Sequence, residues 1–270
     1  MARVPENLWS IGSQQQFLPK IKKSPYAGFM SGTYNDLAPL RRDDPSPEPE
    51  TGSKPQAADT QVPIIVVEPE GNARGGIVML HESREFTGSL LALMNSLASE
   101  GWTVVAPNLF HRSSRESVAE VFGDELFDDF DACFDWLTRH GVFPDTIGVL
   151  GFDSAGTAAF LVATNRPVGA AVSVAAPGIV EPLTEQADAL VRVAPHLQAP
   201  WLGLFGTDDP ATPPAEVERL RDATGRAAVA SLVVSYPGLR HRADHPATED
   251  DNGLVDSQTR IFDWFDSNLR

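Results

Sequence analysis

Thr146-Ile-Gly-Val-Leu-Gly-Phe-Asp-Ser-Ala-Gly156 is the stretch that decides how this chain folds. Its first half is apolar at successive positions, so a strand there has both faces covered by other elements. Its second half opens an amphipathic run, Ser154–Thr164, that reads as a helix. A strand that turns at once into a helix brings the first helical turn back against its own end, which requires small side chains around the turn. Gly151, Ala155 and Gly156 supply them and leave Asp153 at the apex.

The same alternation extends in both directions. Short β-branched runs at Ile64–Glu68, Gly76–Leu80, Thr103–Ala106, Gly169–Val174, Leu202–Phe205 and Ala228–Tyr236 read as strands. Helices are expected over Gly88–Glu100, Glu116–His140, Thr184–Ala194, Ala215–Ala223 and Gly253–Leu269. Strands alternating with helices imply an α/β fold with a mostly parallel sheet flanked by helices. Three segments are expected: an N-terminal arm over 1–41, a linker over 42–60 rich in Pro and acidic residues, and one domain over 61–270.

Composition limits the function. The chain has 270 residues and a formal net charge of −16, a field that repels phosphate backbones and anionic membranes, so neither nucleic acid nor a membrane is an expected partner. No apolar run approaches the ~20 residues needed to span a bilayer, and residues 1–23 lack a signal-peptide pattern. One cysteine, Cys133, permits no intramolecular disulfide, and a soluble, cytoplasmic protein is expected. The aromatic arm offers a route to homo-oligomers. No Cys/His cluster has zinc spacing and no G-x-G-x-x-G follows the first strand, so no metal or other cofactor is expected.

In parallel sheets, ligands bind outside the C-terminal strand ends. Four of those ends deliver His81 and Glu82, with Ser83 beside them; Asp153; Asp208 and Asp209; and His241. The strand–turn–helix at Asp153 is the setting of a nucleophile elbow, and the order nucleophile, acid, base suits Asp153, Asp209 and His241.

With these residues in view, the chain resembles the dienelactone hydrolase family of α/β-hydrolases. The resemblance rests on Gly75–Glu82, Ala98–Arg112, Ile147–Gly156, Leu202–Pro210 and Tyr236–His241, and covers roughly residues 61–270. It implies the α/β-hydrolase fold, with Asp209 as triad acid, His241 as base and Glu82 as a carboxylate interacting with the nucleophile. The family's usual nucleophile is cysteine; here Asp153 stands in that place.

A carboxylate nucleophile suits an sp³ electrophile such as an epoxide or a carbon–halogen bond, giving an alkyl ester that His241-activated water hydrolyses. The Ser154 N–H, at a helix N-terminus, and the pocket residues His81 and Ser83 would surround the developing oxyanion. His81, Glu82, Tyr26 and Tyr34 are candidate proton donors for epoxide opening. Two other readings stay open: ester or lactone hydrolysis through Ser154, and a non-catalytic binding protein in which Asp153 is inert. Of the remaining residues, Asp208 reads as a helix cap, and Cys133 as a small core residue. Asp124, Glu125, Asp128, Asp129 and Asp131 read as a solvated helix face. His111 and Arg112 read either as an anion-binding pair in the pocket or as a solvated loop pair.

Overall fold

The computed structural model describes residues 32–41, 60–82, 86–112, 121–238 and 251–269. All fall within one compact unit, Ser31–Arg270. The strands are β1 (Thr33–Pro39), β2 (Gln61–Val67), β3 (Gly75–Leu80), β4 (Trp102–Pro107), β5 (Ile147–Phe152), β6 (Ala170–Val174), β7 (Trp201–Gly206) and β8 (Ser231–Tyr236). The helices are α1 (Gly88–Ser99), α2 (Asp124–Arg139), α3 (Ser154–Asn165), α4 (Leu190–Val193), α5 (Pro214–Thr224) and α6 (Asp251–Asn268).

The strands form one sheet in the order β1-β2-β4-β3-β5-β6-β7-β8. From β4 through β8 every pairing is parallel, whereas β2 runs antiparallel to β4 and to β1. This is the mostly parallel sheet expected from the alternating pattern, with the α/β-hydrolase fold that the resemblance implies. β3, β4, β5, β6 and β7 are almost wholly buried, because helices cover both faces. Leu90, Met94 and Leu97 of α1 pack with Ile261 and Phe265 of α6 on one face. Leu126, Phe130 and Trp136 of α2 pack with α3 and with Val217 and Leu220 of α5 on the other. Each such side chain removed from water contributes about 1.5–3 kcal/mol, which is why the apolar strands specify their own positions so firmly.

The order of the sheet also locates the crevice. The chain leaves β3 toward β4 on one side, then crosses back to β5 on the other. The C-terminal ends of β3 and β5 therefore flank the point where the winding reverses, and ligands in such sheets lodge there. In the parallel ladder Leu80 pairs with Gly151. Two residues further along each strand stand Glu82 and Asp153.

Three elements differ from the sequence expectation. β1 lies within the expected arm, paired to β2 over seven residues from Thr33↔Val67 to Pro39↔Gln61. Its sequence, TYNDLAP, buries only Ala38 and carries Asn, Asp and Pro, as an edge strand can. Side-chain bonds reinforce its hold: Asp36 accepts the Trp136 indole N–H at 2.9 Å, and just past the strand Arg41 grips Asp135 at 2.6 and 2.7 Å.

The helix expected over Thr184–Ala194 shrinks to Leu190–Val193 followed by a 3₁₀ turn. Backbone N–H groups of Leu190 and Val191 donate to Gly178 and Ile179 instead of back along a helix. The helix expected from Glu116 begins at Asp124, after Gly123 at φ 97°; residues 113–120 lie outside the described residues. So do Tyr26, Ser83, His241 and the linker residues 42–59. No helix among the described residues is long and apolar enough to cross a membrane.

Candidate active site

The elbow is built by close approach. An added Cβ on Gly151 would sit 2.0 Å from the Ala155 carbonyl oxygen. At Gly156 the nearest atoms, the Val174 and Gly151 carbonyl oxygens, would be 3.1 and 3.2 Å away. The first turn of α3 thus presses onto the end of β5, and the residue between must bend sharply. That residue is Asp153, at φ 55° and ψ −127°. A non-glycine residue with positive φ costs about 1–3 kcal/mol, and such strain gathers at functional sites. The bend is held from outside: the Asp153 N–H donates to the Val174 carbonyl at 2.9 Å. The Thr157 hydroxyl donates to Pro177 at 2.6 Å. Behind α3, the buried Ser173 hydroxyl donates to the Gly156 carbonyl at 2.8 Å while accepting the Trp201 indole N–H at 3.0 Å.

Asp153 is the N-cap of α3, yet its side chain makes no capping hydrogen bond. An aspartate there ordinarily accepts from the N–H groups of the first turn. Its Oδ1 is buried nonetheless, and the start of α3 remains as a patch of positive potential beside it.

One residue on, the Ser154 hydroxyl donates to the Glu82 carboxylate, a very short contact. The β3–β5 register brings these two residues together, and in this bond Glu82 is an acceptor. His81, before Glu82, is 6% exposed and packs its ring against Phe86 with centroids 5.1 Å apart.

Past β7 the two aspartates divide. Asp209 is 3% exposed, and its Oδ1 accepts the Ala211 N–H at 2.8 Å. Asp208 is exposed and accepts the Thr207 hydroxyl at 3.2 Å. It caps no helix, contrary to expectation: the N-cap of α5 is Pro213. The last strand ends at Tyr236, from which the chain runs toward His241. Glu82, Asp153 and Asp209 thus follow the ends of parallel strands at one edge of the sheet.

Tyr34, a candidate proton donor, lies on the outermost strand and donates to Glu68 at 2.8 Å. β2 and β4 separate that strand from β3, which removes Tyr34 from the crevice. His111 and Arg112 are neither solvated nor open to an anion. Both bind Asp129, Arg112 Nη1 at 2.8 and 2.9 Å and His111 Nε2 at 3.1 Å, and the Asp129 side chain is fully buried. The acidic helix face is therefore solvated only in part: Asp124, Glu125 and Asp128 are exposed, but Asp129 and Asp131 are buried. Cys133 is buried in α2, and burial pushes its thiol pKa well up; it is a core residue. Among the described residues no group of three or more His, Cys, Asp or Glu could hold a metal ion.

Sequence reasoning missed Ser173, Thr207 and the role of Asp129. For Ser173 a signal existed: a lone hydroxyl in the apolar strand Ala170–Val174 implies a buried hydrogen-bonding duty.

Residues 62–269 match the dienelactone hydrolase family. A Salmonella typhimurium protein provisionally named carboxymethylenebutenolidase is 26% identical over 228 residues, covering 79% of this chain and 80% of its own. A Synechocystis protein of the same provisional name is 21% identical over 212 residues, covering 72% of this chain and 86% of its own. Among solved structures, a protein from Klebsiella pneumoniae provisionally described as a dienelactone hydrolase superposes with a TM-score of 0.72 at 23% identity, covering 87% of this chain and 99% of its own. A dienelactone hydrolase-like promiscuous phosphotriesterase from metagenomic libraries gives 0.67 at 16% identity, covering 88% and 99%. These last two likenesses speak for the fold.

Proposed function

The chain belongs to the dienelactone hydrolase family, and on that premise we propose that it is a hydrolase whose nucleophile is the Asp153 carboxylate. The observation that carries the reading is the conformation of Asp153: it holds the strained apex at φ 55° and leaves its own helix uncapped. Ala175, just past β6, is also at positive φ, 52°, but Asp153 combines that strain with a carboxylate that forgoes its usual capping role, as suits a poised nucleophile.

The substrate is a small molecule with an electrophilic sp³ carbon, an epoxide or a carbon–halogen bond. A carboxylate oxygen of Asp153 bonds to that carbon while the C–O or C–halogen bond breaks, its electron pair leaving with halide or with the epoxide oxygen, which takes a proton from His81 or Glu82. The product is an alkyl ester of Asp153. His241 then takes a proton from water, which attacks the ester carbonyl; Asp209 orients His241 and stabilises its cation. The Ser154 N–H at the start of α3 steadies the oxyanion. Collapse of this intermediate expels the alkoxide, which takes the proton back from His241 and leaves as the alcohol, and Asp153 is restored. Neither metal nor organic cofactor enters these steps.

A second reading, lactone or ester hydrolysis through Ser154, is favoured by one contact and one likeness. The Ser154 hydroxyl donates to Glu82, a carboxylate able to accept its proton. The relatives' name, carboxymethylenebutenolidase, denotes action on a lactone.

Wild type, Asp153→Asn and Ser154→Ala, assayed on aryl esters, lactones, styrene-type epoxides and haloalkanes, separate the two. Under the aspartate reading Asp153→Asn loses at least about 10³-fold in kcat/KM while Ser154→Ala keeps most activity. The reverse pattern on a lactone would support Ser154. Turnover of nothing in the panel would favour a binding protein.

A further inference from the structure

We propose that Thr207 is a positioning residue that sets the segment leading to His241 against the turn carrying Asp209; the proposal rests on the Asp209–His241 pairing of the function proposed above. β7 and β8 pair up to their last residues, Gly206↔Tyr236. Beyond them the backbone ladder gains one more rung, the Thr207 N–H donating to the Tyr236 carbonyl at 3.0 Å. The following rung is made by a side chain: the Gly238 N–H donates to the Thr207 hydroxyl oxygen at 3.1 Å. That hydroxyl gives its own proton to Asp208 at 3.2 Å, so a lone pair is turned toward Gly238.

Thr207 therefore joins the two chains at the point where each departs for its functional residue. Two residues after Thr207 comes Asp209, buried and held by the Ala211 N–H. Three residues after Gly238 comes His241. Gly238 stands at φ 78°, a turn that favours glycine. Three residues of chain reach at most about 11 Å, so an anchor at Gly238 limits where the imidazole can lie. The far side of the 239–250 segment is tied as well. The Tyr236 hydroxyl donates to Asp256 of α6 at 2.9 Å, and Arg260 donates to the same carboxylate oxygen at 2.6 Å. Of these side-chain ties among the described residues, the Thr207 hydroxyl is the one that acts directly between the acid's turn and the path to the base. A half-buried turn threonine with a purely local role would leave the imidazole's environment unchanged when replaced.

The test is the titration of His241, followed by NMR of the imidazole carbons and assigned with His241→Gln. Asp209 beside the imidazolium raises the pKa of His241, so Asp209→Asn lowers it. Thr207→Val keeps the shape and removes the acceptor. It is expected to lower the His241 pKa by about half a unit or more, with Thr207→Ser restoring the wild-type value. Thr207→Ala gives the same readout should the valine variant not fold. Thr207→Val and Thr207→Ala titrating like wild type, with Asp209→Asn lowered, would overturn the role of Thr207 and leave the pairing intact. Asp209→Asn titrating like wild type would overturn the pairing, and this proposal with it.

Discussion

Gly151→Ala tests the elbow at its tightest point. The new Cβ would sit 2.0 Å from the Ala155 oxygen, 2.5 Å from its carbonyl carbon and 2.9 Å from the Gly156 nitrogen. A relaxed C···O contact is about 3.3 Å, so the first turn of α3 must retreat by about 1.3 Å. Every atom struck is backbone, so no rotamer change relieves the clash. α3 is itself buried from Ala155 to Thr164, which leaves it little room to shift. Overpacking costs about 1–3 kcal/mol, occasionally more, and this geometry calls for the upper end, about 3 kcal/mol. Alanine in place of strand glycine returns only about 0.5–1 kcal/mol. The net loss is about 2–2.5 kcal/mol, and at about 2–4 °C per kcal/mol Tm falls by roughly 4–10 °C.

Gly156→Ala is the control. Its nearest contacts are 3.1–3.3 Å, and alanine gains about 1 kcal/mol of helix propensity over glycine, so the net change stays within about 1 kcal/mol. Urea denaturation and calorimetry measure both variants. A Gly151→Ala protein within about 1 kcal/mol of wild type, or one more stable than Gly156→Ala, would refute the packing argument for the bend at Asp153.

Two further outcomes follow from charges outside the crevice. Asp129→Ala strips the buried carboxylate from Arg112 and His111 and is expected to destabilise by about 3 kcal/mol. Arg41→Ala, at a side chain 54% exposed, changes stability by less than about 1 kcal/mol; urea titrations of both check the contrast. The Arg260 hydrogen bond holds the Asp256 pKa below the usual carboxylate value against the opposing effect of burial, with the Tyr236 hydrogen bond and the Arg260 charge adding to the lowering. A carboxylate with a lowered folded-state pKa adds stability above its unfolded value and loses it as pH falls through the folded one. The Tm advantage of wild type over Asp256→Asn is therefore small but present at pH 7, and shrinks below about pH 4.

The fold was legible where burial on both faces left no alternative. Ile147–Phe152 and Trp201–Gly206 are continuous apolar runs, and they occupy central strands of the sheet. β1 was not legible, because Thr33–Pro39 owes its place to register with β2 and to the Asp36–Trp136 bond, and tertiary pairing leaves little trace in such a polar segment. Thr184–Ala194 misled through helix propensity, which the bonds of Leu190 and Val191 to the 178–179 segment override. At the site, the small residues around Asp153 announced the bend, since only a close approach explains them. The partner of Ser154 did not show, because Glu82 lies 72 positions away and only the β3–β5 register brings them together. Nor did the burial of Asp129: an aspartate on an acidic helix looks solvated until Arg112 and His111 arrive from another element.

The most direct test of the central claim is the intact mass of His241→Gln protein after incubation with epoxides or haloalkanes that wild type turns over. Without the base, water attack on the ester stalls. The account predicts a mass increase equal to the whole epoxide, or for a haloalkane to its alkyl group less one hydrogen, mapping on digestion to the peptide that contains Asp153 and absent from a His241→Gln, Asp153→Asn double variant. An adduct on Ser154, or none from a substrate that wild type consumes, would contradict it.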